Sequence, residues 1–428
     1  MGFQLSPGVN VSEIDLTTVV PSVLTTAGAF AGTFQWGPAN KIILVDSEIT
    51  LSKTFGTPDS NSAISFFTAA NFLAYGNNLS VVRAVGANTF NADANTAGAN
   101  IQVANKDVFQ YTLLSTNNNN AYGAFMARYA GAAGNDLSVS VCANTAAFST
   151  WSYAGYFTSA PGTSSYASSL GGSNDELHIV VIDTNGYFSG SKGTVLETFP
   201  FVSKASDAVN LNDGSTNYYK QVVFNNSKYI FAVDPVDYAN TVSTWGTTSA
   251  GKNFATSNTT FTYNLSGGTT DTVTDANKYA GFQLFANKET VDISLVLTGD
   301  ASPTLQQEII DNVVTSRADC VGFISPRSTD VINQSGNETT NIQTWLTALA
   351  RSSSYVVADS GWKYQFDVYN NTYRWIPLNA DIAGLCVYTD SVTDPWYSPA
   401  GFNRGAIKNA VKLAWNPSKT YRDTLYAA

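Results

Sequence analysis

Residues 361–416, GWKYQFDVYNNTYRWIPLNADIAGLCVYTDSVTDPWYSPAGFNRGAIKNAVKLAWN, decide how the rest of the chain is read. Trp362, Tyr364, Phe366, Tyr369, Tyr373 and Trp375 place large rings at mostly even spacing, which predicts half-buried extended chain, with a short helix over residues 381–388. Pro395, Pro399 and Gly401 close that segment. Asn403 is placed to cap a second helix whose apolar positions Ala406, Ile407, Ala410, Val411, Ala414 and Trp415 keep the helical period until Pro417.

Working outward, the segments around this stretch alternate between strand and helix patterns. Upstream, Asp275 is placed to cap a helix through Phe282 and Phe285. Strands are predicted over 291–297, 321–324 and 355–358, with helices opening at Ser302-Pro303 and carrying Ile342, Trp345, Leu346 and Leu349 on one face. The start of the chain repeats the alternation: a buried strand in 25–36, a second apolar run at 42–45, a helix over 62–76 and a strand over 79–85. Strands alternating with helices imply a mostly parallel, layered sheet. Between the two halves the texture changes to Asn, Ser, Thr, Gly and Tyr, with short strand-like runs at 109–114, 137–142, 177–182, 194–201 and 229–233. The fold class is therefore α/β: a layered α/β domain, residues 21–86 plus 265–428, split in sequence by an inserted β-rich domain, residues 87–264, and preceded by an extended arm, residues 1–20.

Composition narrows the function. The 428 residues carry 22 Lys plus Arg against 32 Asp plus Glu, a net charge of −10. That balance disfavours nucleic acid and anionic membranes, which need concentrated basic side chains. Only 13% of residues are charged, about half the usual share; an uncharged polar surface can approach a copy of itself with little repulsion, which suits self-assembly. The three cysteines, Cys142, Cys320 and Cys386, are scattered and odd in number, so reduced, buried thiols are expected. No secretory signal or membrane-length apolar run is visible, and the protein is expected to be soluble.

Chemistry-bearing patterns are sparse. His178 is the only histidine and lies in LHIVVID, a strand interior, so a structural role is expected over a nucleophile's base. No zinc, calcium, P-loop or dinucleotide spacing occurs, and no cofactor or metal is expected. Asp292, Asp300 and Asp319 sit at strand ends where ligands of α/β sheets bind, yet helix caps and solvation account for them. The rings of 362–375 could stack a sugar or base; packing accounts for them better.

Ser6-Pro7-Gly8-Val9, Phe34-Gln35-Trp36-Gly37-Pro38-Ala39, Asn71 to Asn77 (NFLAYGN), Val81 to Val85 (VVRAV), Leu378 to Cys386 (LNADIAGLC) and Ser398 to Gly405 (SPAGFNRG) carry, in this order, a resemblance to the tail sheath proteins of contractile-tailed bacteriophages of the T-even type. The likeness spans the first 85 residues and those from 276 on, and is faint between. The resemblance implies a structural subunit that polymerises helically around a tail tube and contracts to drive the tube through a host envelope. It implies as partners further copies of itself, the tail tube protein, and baseplate and tail terminator proteins, with no nucleic acid and no membrane insertion, in a virion assembled in the host cytoplasm. No enzyme activity is implied. It also implies that Pro7, Gly8, Val9, Val11 and Glu13 form an assembly arm, that Trp396, Pro399, Gly401, Phe402, Asn403 and Arg404 form a packed structural motif, and that the inserted domain faces outward. Family members continue into a C-terminal domain, so a truncated, monomeric or weakly associating form is expected. A glycan-binding phage or surface adhesin using the Asn/Ser/Tyr-rich middle is the alternative.

Overall fold

The computed structural model describes residues 26–95, 100–114, 118–256 and 259–427; the residues assigned to the arm lie outside these. In chain order the strands are β1 (Gly28–Gly32), β2 (Ile42–Val45), β3 (Leu79–Arg83), β4 (Phe125–Ala127), β5 (Leu137–Cys142), β6 (Glu176–Asp183), β7 (Thr194–Ser203), β8 (Ile230–Ala232) and β9 (Phe261–Asn264). They continue as β10 (Leu295–Leu297), β11 (Val321–Ile324), β12 (Val356–Ala358), β13 (Trp362–Asp367), β14 (Thr372–Pro377) and β15 (Lys412–Leu413). Two compact units result. The sheet unit comprises the described residues of Met1–Phe34, Lys41–Ala84 and Thr274–Ala428, and the inserted unit Gln35–Asn40 and Val85–Val273.

In the sheet unit, six strands run in the order β12-β11-β10-β1-β3-β2, all parallel except β2, which lies antiparallel to β3. β1 is buried along its whole length, as a central strand covered on both faces must be. Phe66, Phe72, Phe282, Leu305 and Ile309 supply much of the core from the flanking helices Ala63–Leu73, Asp275–Gln283 and Pro303–Ile309, and Phe285, just past the second of these, joins them. The helix Asn379–Val392, longer than the 381–388 expected, crosses Ala63–Leu73 closely because Gly384 faces Tyr75: a Cβ at Gly384 would lie 2.4 Å from the tyrosine ring. Thr274, not Asp275, caps Asp275–Gln283, sharing reciprocal bonds with Asn277.

The aromatic stretch forms the hairpin β13–β14, and β15 adds to β13 as a third, antiparallel strand. This corrects the expected second helix after Asn403. The Val411 and Ala414 amides donate to the Tyr364 and Trp362 carbonyls of β13 at 2.8 and 2.7 Å, so main-chain donors that a helix needs are committed across the sheet. The next helix is Lys419–Tyr426.

The inserted unit is built on a four-stranded antiparallel sheet, β7-β6-β5-β9, with β4 and β8 paired beside it. Val139, Val141, Ile179 and Val181 alternate inward over a core that includes Tyr219 and Trp245. Residues 109–114 are not a strand. Asn105 caps a helical turn, accepting from the Asp107 and Val108 amides, and the segment buries Phe109 and Leu113 while Tyr111 is exposed. Among the described residues no helix is long and apolar enough to cross a membrane.

Candidate functional site

Parallel α/β sheets bind ligands at the carboxyl ends of their strands, and here the ends of β10, β11 and β12 are tied together by the chain itself. Asn379, fully buried at the start of its helix, donates to the Gly299 carbonyl beyond β10 and to Ser325 Oγ beyond β11, both at 2.8 Å, and accepts from the Gly299 amide at 3.1 Å. Ser325 Oγ in turn donates to Asp359 beyond β12 at 2.6 Å. Burial pushes the Asp359 carboxyl up, a feature of many active sites; its oxygens are committed to Ser325 and to the Gly361 amide. The acidic residues at the strand ends do not converge: Asp300 pairs with Lys278 at 2.8 Å and Asp319 with Arg317 at 2.9 Å.

His178 is a structural histidine. Its Nδ1 accepts from the Phe201 amide at 3.0 Å, which leaves Nε2 to donate to the Ser159 carbonyl at 2.9 Å, and Phe157 stacks on the ring at 4.2 Å. Burial lowers its pKa, favouring this neutral form. Burial also pushes the Cys320 and Cys386 thiols up to about 11, away from the thiolate that reactivity requires. In the inserted unit a cleft of about 390 Å³ is lined by Tyr218, Lys220, Asp234 and Trp245. The Trp245 ring has Lys204 over it at 5.4 Å and Tyr219 edge-on at 5.6 Å, and its Nε1 donates to the Ala255 carbonyl; it offers a sugar no free stacking face. Among the described residues no cluster of His, Cys, Asp and Glu is placed to hold a metal.

The hairpin aromatics also pack on one another. Tyr364 lies 4.7 Å from Trp375 and 5.3 Å from Tyr373, with Lys412 of β15 over Tyr364 and Trp375. Trp362 is buried and donates to the Pro326 carbonyl at 2.7 Å.

The motif 396–404 departs from its expected packing. Trp396 is 78% exposed and Phe402 fully so. Gly401, at φ +105°, turns the loop where other residues are strained, and Arg404 lies over the Tyr397 ring at 4.6 Å while donating to the Ser398 carbonyl at 3.2 Å. The loop is thus held by its own contacts, with two large rings directed outward; Asn403 is exposed with them and Pro399 is half-buried.

A buried polar cluster, missed in the sequence, ties the following segment to the sheet unit. Lys363 of β13 donates to Asp381 at 2.8 Å and to the Lys408 carbonyl at 2.9 Å. Tyr75 donates to Asp381 at 3.2 Å and accepts from the Lys408 amide at 2.7 Å. The available signal was a lone charge inside each apolar run, Asp381 in LNADIAGLCV and Lys363 between rings.

Comparison with known proteins identifies what this arrangement belongs to. A family model described as the N-terminal region of domain III of the tail sheath protein Gp18 matches residues 25–84. The tail sheath protein of Vibrio phage KVP40 is 30% identical over 99% of this chain and 79% of its own length. The chain belongs to the phage tail sheath protein family. The sheath protein of Enterobacteria phage T4 is 28% identical, again over 99% of this chain and 78% of the relative. A sheath tail protein from Listeria innocua superposes with a TM-score of 0.47 at 11% identity, covering 93% of this chain and 62% of that one, and one from Desulfitobacterium hafniense with 0.43 at 11%, covering 98% and 70%.

Proposed function

We propose that this sheath protein polymerises helically around a tail tube and contracts to drive the tube through the host envelope, assembling in the host cytoplasm with tail tube, baseplate and tail terminator proteins. The observation that carries this reading is the match of phage tail sheath proteins, at 28 to 30% identity, along 99% of the chain. Contraction of a lattice needs rigid bodies that slide between two packings while staying connected. A rigid sheet unit suits that role, with an inserted domain, residues 87–264, turned outward and an N-terminal arm in residues 1–20 tying neighbours together. Such a subunit works through surfaces and needs no catalytic group.

Gold-labelled antibody raised against the inserted domain and applied to virions encoding the chain tests the reading. Label spaced evenly along the tail shaft, on a shaft that shortens and thickens once triggered, is the expected result. Label confined to fibres or the tail tip would overturn it in favour of an adhesin.

A further inference from the structure

The 390 Å³ cleft of the inserted unit holds a helix end and a lysine that are both left without acceptors. The helix is Tyr219–Asn226; Tyr218, its N-cap, and Lys220 and Gln221 of its first turn all line the cleft. The first amides of any helix lack intrahelical acceptors, and a capping side chain ordinarily supplies one. No side chain caps this helix. Among the described residues nothing accepts from the Tyr219, Lys220 and Gln221 amides, whereas the Val222 amide donates to the Tyr218 carbonyl at 2.9 Å. Lys220 is a separate sign. It is 7% exposed, yet its ammonium makes no hydrogen bond or ion pair among the described residues. Asp234, which also lines the cleft, attracts it, but the Asp234 oxygens accept from the Asn118 and Asn120 amides at 3.1 and 3.0 Å. Lysine is almost never buried this far unpaired, and burial lowers its pKa. An enclosed cation beside open helix amides is the make-up of an anion site.

We infer that this cleft binds a small hydroxylated carboxylate, of the hydroxy-acid or sugar-acid class, its carboxylate held between the Lys220 ammonium and the amides of residues 219–221. Charge sets the class. One lysine and a helix end worth about half a positive charge match a single negative charge, and Asp234 disfavours a second, so a carboxylate fits better than a phosphate dianion. Uncommitted polar groups set the rest. The Tyr218 hydroxyl has no hydrogen-bond partner among the described residues and stands opposite Gly246, where a Cβ would lie 3.1 Å from it. Asp234 can accept from a ligand hydroxyl as well, since a carboxylate offers about four lone pairs. A neutral sugar gains neither benefit: it brings no charge to Lys220, and Trp245 is already covered by Lys204 and Tyr219. The volume suits one small molecule. The site lies wholly within the inserted unit and is independent of the sheath reading.

Calorimetric titration of the full chain with sodium gluconate tests it, against sorbitol, dibasic phosphate and sodium chloride. Gluconate is expected to saturate a single site with a Kd of about 1 mM or tighter. Sorbitol, which has an alcohol where gluconate has its carboxylate, and chloride should show no saturable binding, and dibasic phosphate should bind at least about tenfold more weakly. K220M should abolish the gluconate signal. Q221E guards against a K220M that fails to fold: glutamate in the first helical turn is favourable, so Q221E should melt at or above the wild type and yet bind gluconate at least about tenfold more weakly. In the wild type the Lys220 and Gln221 amide resonances should shift along the titration. Absence of saturable binding up to about 50 mM gluconate, a response to sorbitol, chloride or phosphate equal to that with gluconate, or unweakened binding by a folded K220M or by Q221E would overturn the inference.

Discussion

Lys363 Nζ lies 2.8 Å from Asp381 Oδ1, and neither side chain reaches solvent. Burial moves both groups toward their neutral forms, raising the carboxyl and lowering the ammonium, while their mutual attraction opposes the shift. Removing one partner strands the other charge in the interior. D381N or K363M alone should cost about 3–5 kcal/mol, whereas the apolar double variant K363M/D381L should cost less than either. Urea midpoints for the three proteins check this; a double variant as unstable as the sum of the singles would remove the pairing argument.

In the inserted unit, Lys204 is fully buried, donating to the Ala143 and Asn174 carbonyls at 3.0 and 2.7 Å. Burial pushes its pKa down to about 7, against the attraction of Asp175, Cys142 and Glu176. The unfolded chain, with lysine titrating near ~10.4, then holds a proton that the folded chain has lost between pH 7 and that value. Stability should rise with pH across this window, by at most about 1.4 kcal/mol per pH unit. K204M should flatten the rise. Urea unfolding at several pH values, followed by tryptophan fluorescence, reads the slope directly; equal slopes in both proteins would assign the effect elsewhere.

Asp183, at the end of β6, accepts from the amides of Gly186, Tyr187, Phe188 and Ser189 at 2.8 to 2.9 Å, and from Ser189 Oγ. One buried carboxylate thus fixes the whole turn, and with it Phe188, which packs on Trp36 at 5.0 Å and on Tyr229 at 5.2 Å. D183A leaves four amides and one hydroxyl to find other acceptors and should cost about 3 kcal/mol. Hydrogen exchange should show amides 186–189 losing protection first. Unchanged protection there would mean that the turn is held by its packing.

Much of the sheet was legible because its apolar runs are short and bounded. β2 falls on the predicted residues, β11 likewise, and the helix Glu338–Leu349 follows from the spacing of Ile342, Trp345 and Leu349. Two misreadings have physical causes. VFQYTLL has strand-forming residues, yet the i, i+4 pair Phe109 and Leu113 and the Asn105 cap outweigh β-propensity. Residues 406–415 keep helical spacing, yet Val411 is exposed and its amide is committed to β13; a partner strand remote in sequence decides that segment. Outward-facing Trp396 and Phe402 look in sequence like any core aromatics, since a ring destined for another surface carries the same hydrophobicity as one destined for the interior. The Lys363–Asp381 pair needs the third dimension to be seen at all.

The helix crossing at Gly384 gives the last test. A Cβ added there would meet the Tyr75 ring at 2.4 and 2.9 Å, closer than side chains come without displacement. Tyr75 cannot swing aside cheaply: its hydroxyl is held by Asp381 and by the Lys408 amide. Gly76, one residue on, would likewise place a Cβ 2.6 Å from Val387 of the same helix. G384A should therefore destabilise the protein by about 1–3 kcal/mol, although alanine is the better helix former by ~1 kcal/mol. Truncating the ring opens space for the new methyl, so Y75L/G384A should lose less than the two single variants added together, a coupling that a double-mutant cycle of unfolding free energies measures. Strict additivity would show that Gly384 is required for a reason other than the approach of Tyr75.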